Sequence, residues 1–133
     1  MKTSAIKKSD GKIWLVHGDH LVVMETGDTV IELPLDWEAP NAKYRDAWRE
    51  KGGEITVDLP AARLIKLAEI RIERDKRLAD SDKEWLIAMS QGKSQDEINT
   101  KKKALRDIPD VAESALKKLK KLETIDAYSP EWP

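Results

Sequence analysis

The sequence predicts an α+β protein, with an N-terminal antiparallel β-meander followed by a helical C-terminal half. Three observations predict it. Short β-prone runs separated by Gly-Asp turn pairs fill residues 1–35, apolar residues recur at helical spacing from Ala61 onward, and three capping-box patterns punctuate residues 81–113. With 133 residues, the chain suits one domain, or one small domain with a helical extension. The natural division puts a small β-meander domain with one short helix at 1–58 and a helical region at 59–133.

In chain order, residues 3–8 can form a first, polar edge strand, because Asp10-Gly11 is a hairpin signal. Lys12 to His17 is apolar and β-prone. Gly18-Asp19 marks a turn before Leu21-Val22-Val23-Met24, and Gly27-Asp28 marks another before Thr29 to Leu33. Pro34 ends the run, since it has no N–H for a ladder. Asn41 can cap a short helix, Ala42 to Glu50, stopped by Gly52-Gly53. Glu54 to Val57 is a β-prone piece that could return to the sheet.

Beyond Asp58 the pattern turns helical. Pro60 fits a first helical turn with Asp58 or Leu59 before it. Ala61, Ile65, Ala68, Ile72 and Ala79 form a core-facing stripe, widened by Leu64, Leu67 and Ile70. Ser81 to Glu84, Ser94 to Glu97 and Asp110 to Glu113 each match a capping box, in which the first side chain accepts a helix N–H and the Glu reaches back. Gly92 and Pro109 separate segments, so helices are expected near 60–80, 82–91, 95–107 and 110–123. In the last, Ala112, Ala115, Leu116, Leu119 and Leu122 form an apolar stripe. It can serve as internal core, the favoured reading, or as a surface for a partner helix or groove.

Composition narrows the chemistry. The chain has no cysteine, which excludes disulfides, thiolate metal sites and cysteine nucleophiles. Net charge is −1, so no global field draws it to nucleic acid or an acidic membrane. No apolar run approaches the roughly 20 residues of a membrane span, and the first eight residues lack the apolar core of a signal peptide. Charged residues are 37% of the chain, above the usual quarter, so the helices should carry broad solvated faces. Five Trp and no Phe supply the aromatic bulk, and a buried Trp needs a partner for its indole N–H.

Candidate sites are few. His17-Gly18-Asp19-His20 holds both histidines, but no zinc-type spacing surrounds them and a polar β-turn explains them. Asp36 and Glu38 flank Trp37, a weak hint of a sugar-binding cleft with acid catalysis. The plainer reading is a Trp anchoring a linker to the core. No phosphate loop, nucleophile elbow or dinucleotide fingerprint occurs. The lysines at 101–103, 117–118 and 120–121 could contact phosphates, but no aromatic is interleaved, and a solvated helix face fits better. The expectation is a non-enzymatic protein, with no catalytic residues, metal or cofactor, that binds another protein. A nucleic-acid partner is disfavoured and no membrane partner is expected. Helix stripes of this kind also suit a homodimer.

Ala68-Glu69-Ile70-Arg71 through Arg74-Asp75-Lys76-Arg77-Leu78, then Ser81-Asp82 and Trp85, resembles the arginine-rich helix and following Ser/Thr-Asp and Trp of bacteriophage tail assembly chaperones. Ala104-Leu105-Arg106-Asp107-Ile108-Pro109 closely resembles that family's Ala-Leu-Arg-Asp-Ile-Pro segment, and Trp132-Pro133 is similar to the Trp-Pro near its C-terminus. The resemblance covers about half the chain. Two departures stand out: Lys101-Lys102 replaces an aromatic–Arg pair, and residues 110–123 look like an insertion. The resemblance implies a protein of the infected host cytoplasm that binds a phage tail or tail-fibre protein non-covalently and aids its folding and assembly. The alternatives are a structural tail component retained in the virion and a small helical nucleic-acid-binding module. The residues it points to as partner-binding are Trp85, Leu105, Arg106, Asp107, Leu116, Leu119 and Trp132.

Overall fold

A computed structural model describes residues 3–17, 26–34 and 37–133. The fold is α+β, with antiparallel strands followed by long helices. The chain divides into two compact units, Met1–Ala62 and Arg63–Pro133. The boundary falls just after the first turn of the first long helix.

In the first unit, β1 (Thr3–Lys7), β2 (Ile13–His17) and β3 (Thr29–Glu32) form an antiparallel sheet in the order β2-β1-β3. The expected polar edge strand at 3–8 is therefore paired on both sides: Ala5 faces Leu15 on β2 and Ile31 on β3. The reason lies in its residues, since Ala5 and Ile6 are both buried and an edge would leave their backbone groups unpaired. The strand expected at 21–24 lies outside the described residues, as does the turn expected at Gly18-Asp19. Alternation sets the two faces of the sheet. Ala5, Ile13 and Ile31 point into a core with Leu33 and Trp48, and Leu15, Trp37, Ile55 and Val57 pack against it. On the other face Ile6 is paired with Trp14 and Val30. Those two flanking residues are exposed and Ile6 is not, as cross-strand pairing predicts.

Asn41 does cap a helix, with its Oδ1 accepting from the Lys43 N–H at 3.1 Å. That helix is a short 3-10 turn, Ala42–Ala47, and does not reach Glu50. Trp48–Lys51 is instead β4, paired with β5 (Glu54–Val57) in a separate two-stranded sheet. Gly52 and Gly53 thus form a hairpin turn and not a helix stop. Their φ values are +61° and +83°, the left-handed conformations a two-residue hairpin loop demands at both positions. The expected partner for Trp48's indole N–H does not materialise: its Nε1 is buried with no acceptor among the described residues.

The helical half is built from fewer, longer helices than its punctuation predicts. Asp58 starts α1: its Oδ1 accepts from the Ala61 N–H at 3.3 Å and its carbonyl from the Ala62 N–H at 2.9 Å. Pro60 lies in the first turn, where no N–H is needed. α1 then runs unbroken from Leu59 to Ser90, joining the helices expected at 60–80 and 82–91. Ser81 is no cap: its hydroxyl donates to the Arg77 carbonyl at 3.0 Å, the way a mid-helix Ser satisfies itself. α2 covers Asp96–Lys117 and absorbs Pro109, which is buried. The third capping-box pattern lies inside it. Before α2, the Ser94 hydroxyl accepts from the Asp96 N–H at 3.3 Å, and Gln95 occupies the cap position with no side-chain bond. α2 ends earlier than residue 123, and a short α3, Leu122–Ala127, follows.

α1 and α2 run antiparallel. Lys101 pairs with Glu84 and Lys102 with Asp82 near the connecting turn, and at the far end the Arg63 Nη2 donates to the Leu119 carbonyl at 2.7 Å. The buried apolar residues of this unit are Leu67, Ile70, Ala88, Leu105, Ile108, Ala112, Leu116 and Ile125. The expected α1 stripe is displaced from the core. Leu67 and Ile70 are enclosed, while Ala68, Ile72 and Ala79 are exposed and Leu64 is 67% exposed. Among the described residues no helix is long and apolar enough to cross a membrane.

Candidate functional site

The residues singled out by the motif fall into two sets. Leu105 and Leu116 are enclosed in the helical unit. Leu119 and Trp85 are partly buried. Arg106 and Asp107, adjacent to Leu105, lie on the outside of α2 and are exposed. One turn of sequence thus splits by helical geometry: Leu105, Ile108 and Ala112 recur at three and four residues and turn inward, while Lys103, Arg106, Asp107, Asp110 and Ser114 share the opposite face. Neither Arg106 nor Asp107 makes an ion pair or hydrogen bond with a described residue, in contrast to the paired lysines nearby. Val111, 59% exposed, adds an apolar element to that outer face.

Trp132 is held by Arg77, whose guanidinium lies 4.4 Å from the ring centroid. The arginine-rich stretch of α1 and the terminal Trp-Pro therefore meet. Arg77 is oriented from its own helix by Glu73, whose Oε1 accepts from its Nε at 2.9 Å. This corner borders an open cleft of about 380 Å³ formed by Glu73, Lys76, Arg77, Asp80, Glu84, Lys101 and Pro133. Charges of both signs line it, and Glu73 and Glu84 each have about half their side chain in solvent. What such a surface can do is pair ions and stack a planar group on the Trp132–Arg77 corner.

The C-terminal segment is tied back by two cations on α1, Arg63 and Lys66. The Lys66 Nζ, on a side chain 9% exposed, donates to the Asp126 carbonyl at 2.9 Å, and Arg63 binds the Leu119 carbonyl. The Asp126 carbonyl belongs to the last turn of α3 and Leu119 lies just past the C-cap of α2, where carbonyls lack intrahelical donors and cations are favoured. The only signal in the sequence is two cations three residues apart among Leu64, Ile65 and Leu67, which does not specify a distant partner.

The remaining candidates have simple structural roles or fall outside the described residues. Trp37 packs against the N-terminal core, as the linker-anchor reading expects, and Asp36 is outside the described residues. Asp19 and His20 are outside them too. Among the described residues no group of three or more His, Asp or Glu could hold a metal ion. The lysine clusters are partly neutralised, Lys101 and Lys102 by α1 and Lys117 by Glu113 at 3.7 Å. The two lysines that depart from the aromatic–Arg pair are thus the ones that join α2 to α1. In the N-terminal unit, the Gly53 N–H at 2.9 Å, helped by Lys7 at 3.4 Å, holds the Glu50 carboxyl below its ordinary value of 4.5. Glu50 serves the β4–β5 turn.

Comparison with family models, with curated proteins and with solved structures finds no match for this chain.

Proposed function

We propose that this protein is a bacteriophage or prophage tail assembly chaperone, which binds a tail or tail-fibre subunit non-covalently in the host cytoplasm. The observation that carries the reading is the behaviour of the Ala104–Pro109 segment. Its apolar residues close the protein's own helical core, while Arg106 and Asp107 stay outside, with no ion pair or hydrogen bond to a described residue. A charged pair serving its own fold would be expected to find partners within it. Such an Arg beside such an Asp on a rigid helix suits reversible contact with a polar strand edge or carboxylate of a client. Fibre subunits before assembly expose strand edges and apolar surface that aggregate. Covering them needs contact surface and no reaction.

The test is co-expression of this chain with a β-rich tail-fibre subunit from the same phage or prophage. Wild type should raise the soluble yield of that subunit. Arg106→Glu with Asp107→Lys should lower the yield to the level without chaperone, while circular dichroism and thermal unfolding of the variant itself stay unchanged. Equal yields with wild type and variant would refute the assigned surface. No effect of wild type would refute the role. Mass spectrometry of purified particles separates this reading from a structural tail component, since a chaperone is absent from the virion.

A further inference from the structure

We propose that α1 carries a self-association surface, through which two copies of this chain pair antiparallel along an exposed apolar series that runs outside the buried face and flanks α2 at Asp82. The helix buries Leu67, Ile70, Ser81 and Ala88 on one side. Outside that buried side a second apolar series stands in solvent, with Ile72 72%, Leu86 56% and Met89 50% exposed. These residues keep a strict alternation of three and four: Ile65, Ala68, Ile72, Asp75, Ala79, Asp82, Leu86, Met89. That is the seven-residue period of a two-helix seam. An amphipathic helix needs one apolar face, and here the core uses the other one.

The two aspartates decide the orientation. In a parallel pair Asp75 and Asp82 would each meet its own copy within the seam, which like charge opposes. In the antiparallel alignment that sets Ile65 against Met89 of the second copy and Ala68 against its Leu86, Asp75 faces Ala79 and Asp82 faces Ile72. The flanking charges then complement each other, because Glu69, which is also ion-paired to Lys66 of its own helix at 4.0 Å, lies beside Lys83 of the second copy at both ends. At the dyad the two Lys76 residues approach each other, but each lies one turn from the other copy's Asp75. Neither aspartate enters as a lone charge, since Asp75 accepts from Arg74 at 2.7 Å and Asp82 pairs with Lys102. The seam is about 36 Å long at 1.5 Å per residue and about 10 Å wide. That is roughly 400 Å² per copy, about half a standard interface, so the dimer is expected to be weak and reversible.

The experiment uses the full chain alone, so its outcome is independent of any client. Sedimentation equilibrium from about 1 to about 200 μM should show a mass rising from 15.1 kDa towards twice that value. Ile72→Glu with Leu86→Glu should remain monomeric throughout with undiminished helical signal, because both residues are exposed. Lys83→Glu should weaken the dimer about tenfold, and adding Glu69→Lys should restore it. The chain lacks cysteine, so orientation can be read from single cysteines. Glu69→Cys and Lys83→Cys chains, mixed, should form a mixed disulfide dimer, and neither should cross-link with itself. A monomer across the whole range, an unaltered dimer in the double glutamate variant, or self-cross-linking of Glu69→Cys would each overturn the proposal.

Discussion

The hydroxyl of Ser81 is fully buried and bonds one turn back to Arg77, which makes an unusual prediction for a buried polar group. The Arg77 carbonyl keeps its helical N–H partner when the hydroxyl is removed, and Ala is the better helix former. Ser81→Ala should therefore shift stability by no more than about 0.5 kcal/mol, whereas a true capping residue would cost about 1 kcal/mol. Urea unfolding followed by far-UV circular dichroism distinguishes the two. The neighbouring motif gives the opposite contrast. Leu105 has no exposed surface, and Leu105→Ala should cost about 2–5 kcal/mol. Arg106→Ala, one residue on, should fall within about 0.5 kcal/mol of wild type. Six residues that look like one motif thus divide into an enclosed set, Leu105, Ile108 and Pro109, and an outward-facing pair, Arg106 and Asp107. Leu105 and Ile108 are apolar and Arg106 and Asp107 charged, and the helical period turns the first pair inward and the second outward.

At the scale of elements, tight turns and long helices behaved differently. The β4–β5 hairpin was legible in principle. Gly52-Gly53 between Trp48–Lys51 and Glu54–Val57 satisfies the two-residue loop rule, yet Asn41's cap and the charged residues that follow it also suit a helix. In the fold Trp48 joins the N-terminal core as the first residue of β4. Gly53 sits at φ +83° with open space where a β-carbon would stand, so the penalty of a side chain there is conformational alone. Gly53→Ala should destabilise the N-terminal unit by about 1–2 kcal/mol, measured by tryptophan fluorescence during urea unfolding. The helices fail the other way. Ser81, Pro109 and Asp110 read as boundaries, but a cap signal is optional and a proline penalty of about 3 kcal/mol can be outweighed by burial on both sides of it. Ile108, Pro109 and Ala112 are all enclosed.

Taken whole, the molecule consists of two units that draw stability from different sources, a β core in one and antiparallel helices closed by a tied-back C-terminal segment in the other. Acid should act on them unequally. Glu50 has its pKa depressed in the folded state by the Gly53 N–H and Lys7. Its contribution is therefore present above the unfolded value of 4.5 and is lost as pH falls through the lower folded value. Glu50→Gln should flatten the acid dependence of the N-terminal unit's unfolding midpoint below the ordinary carboxyl value of 4.5, with little change in that slope near neutrality. The period and composition of the residues by themselves determined the α+β class, the antiparallel strands, a helix start at Asp58 or Leu59 and the absence of cysteine chemistry, because these depend on local spacing and on which residue types are present. Tertiary structure alone decided that β1 is paired on both sides, that four expected helices are two long ones and a short third, and that Arg77 meets Trp132. Each of those depends on which of two competing faces or boundaries gains burial from residues far away in the chain, and local spacing carries no information about that.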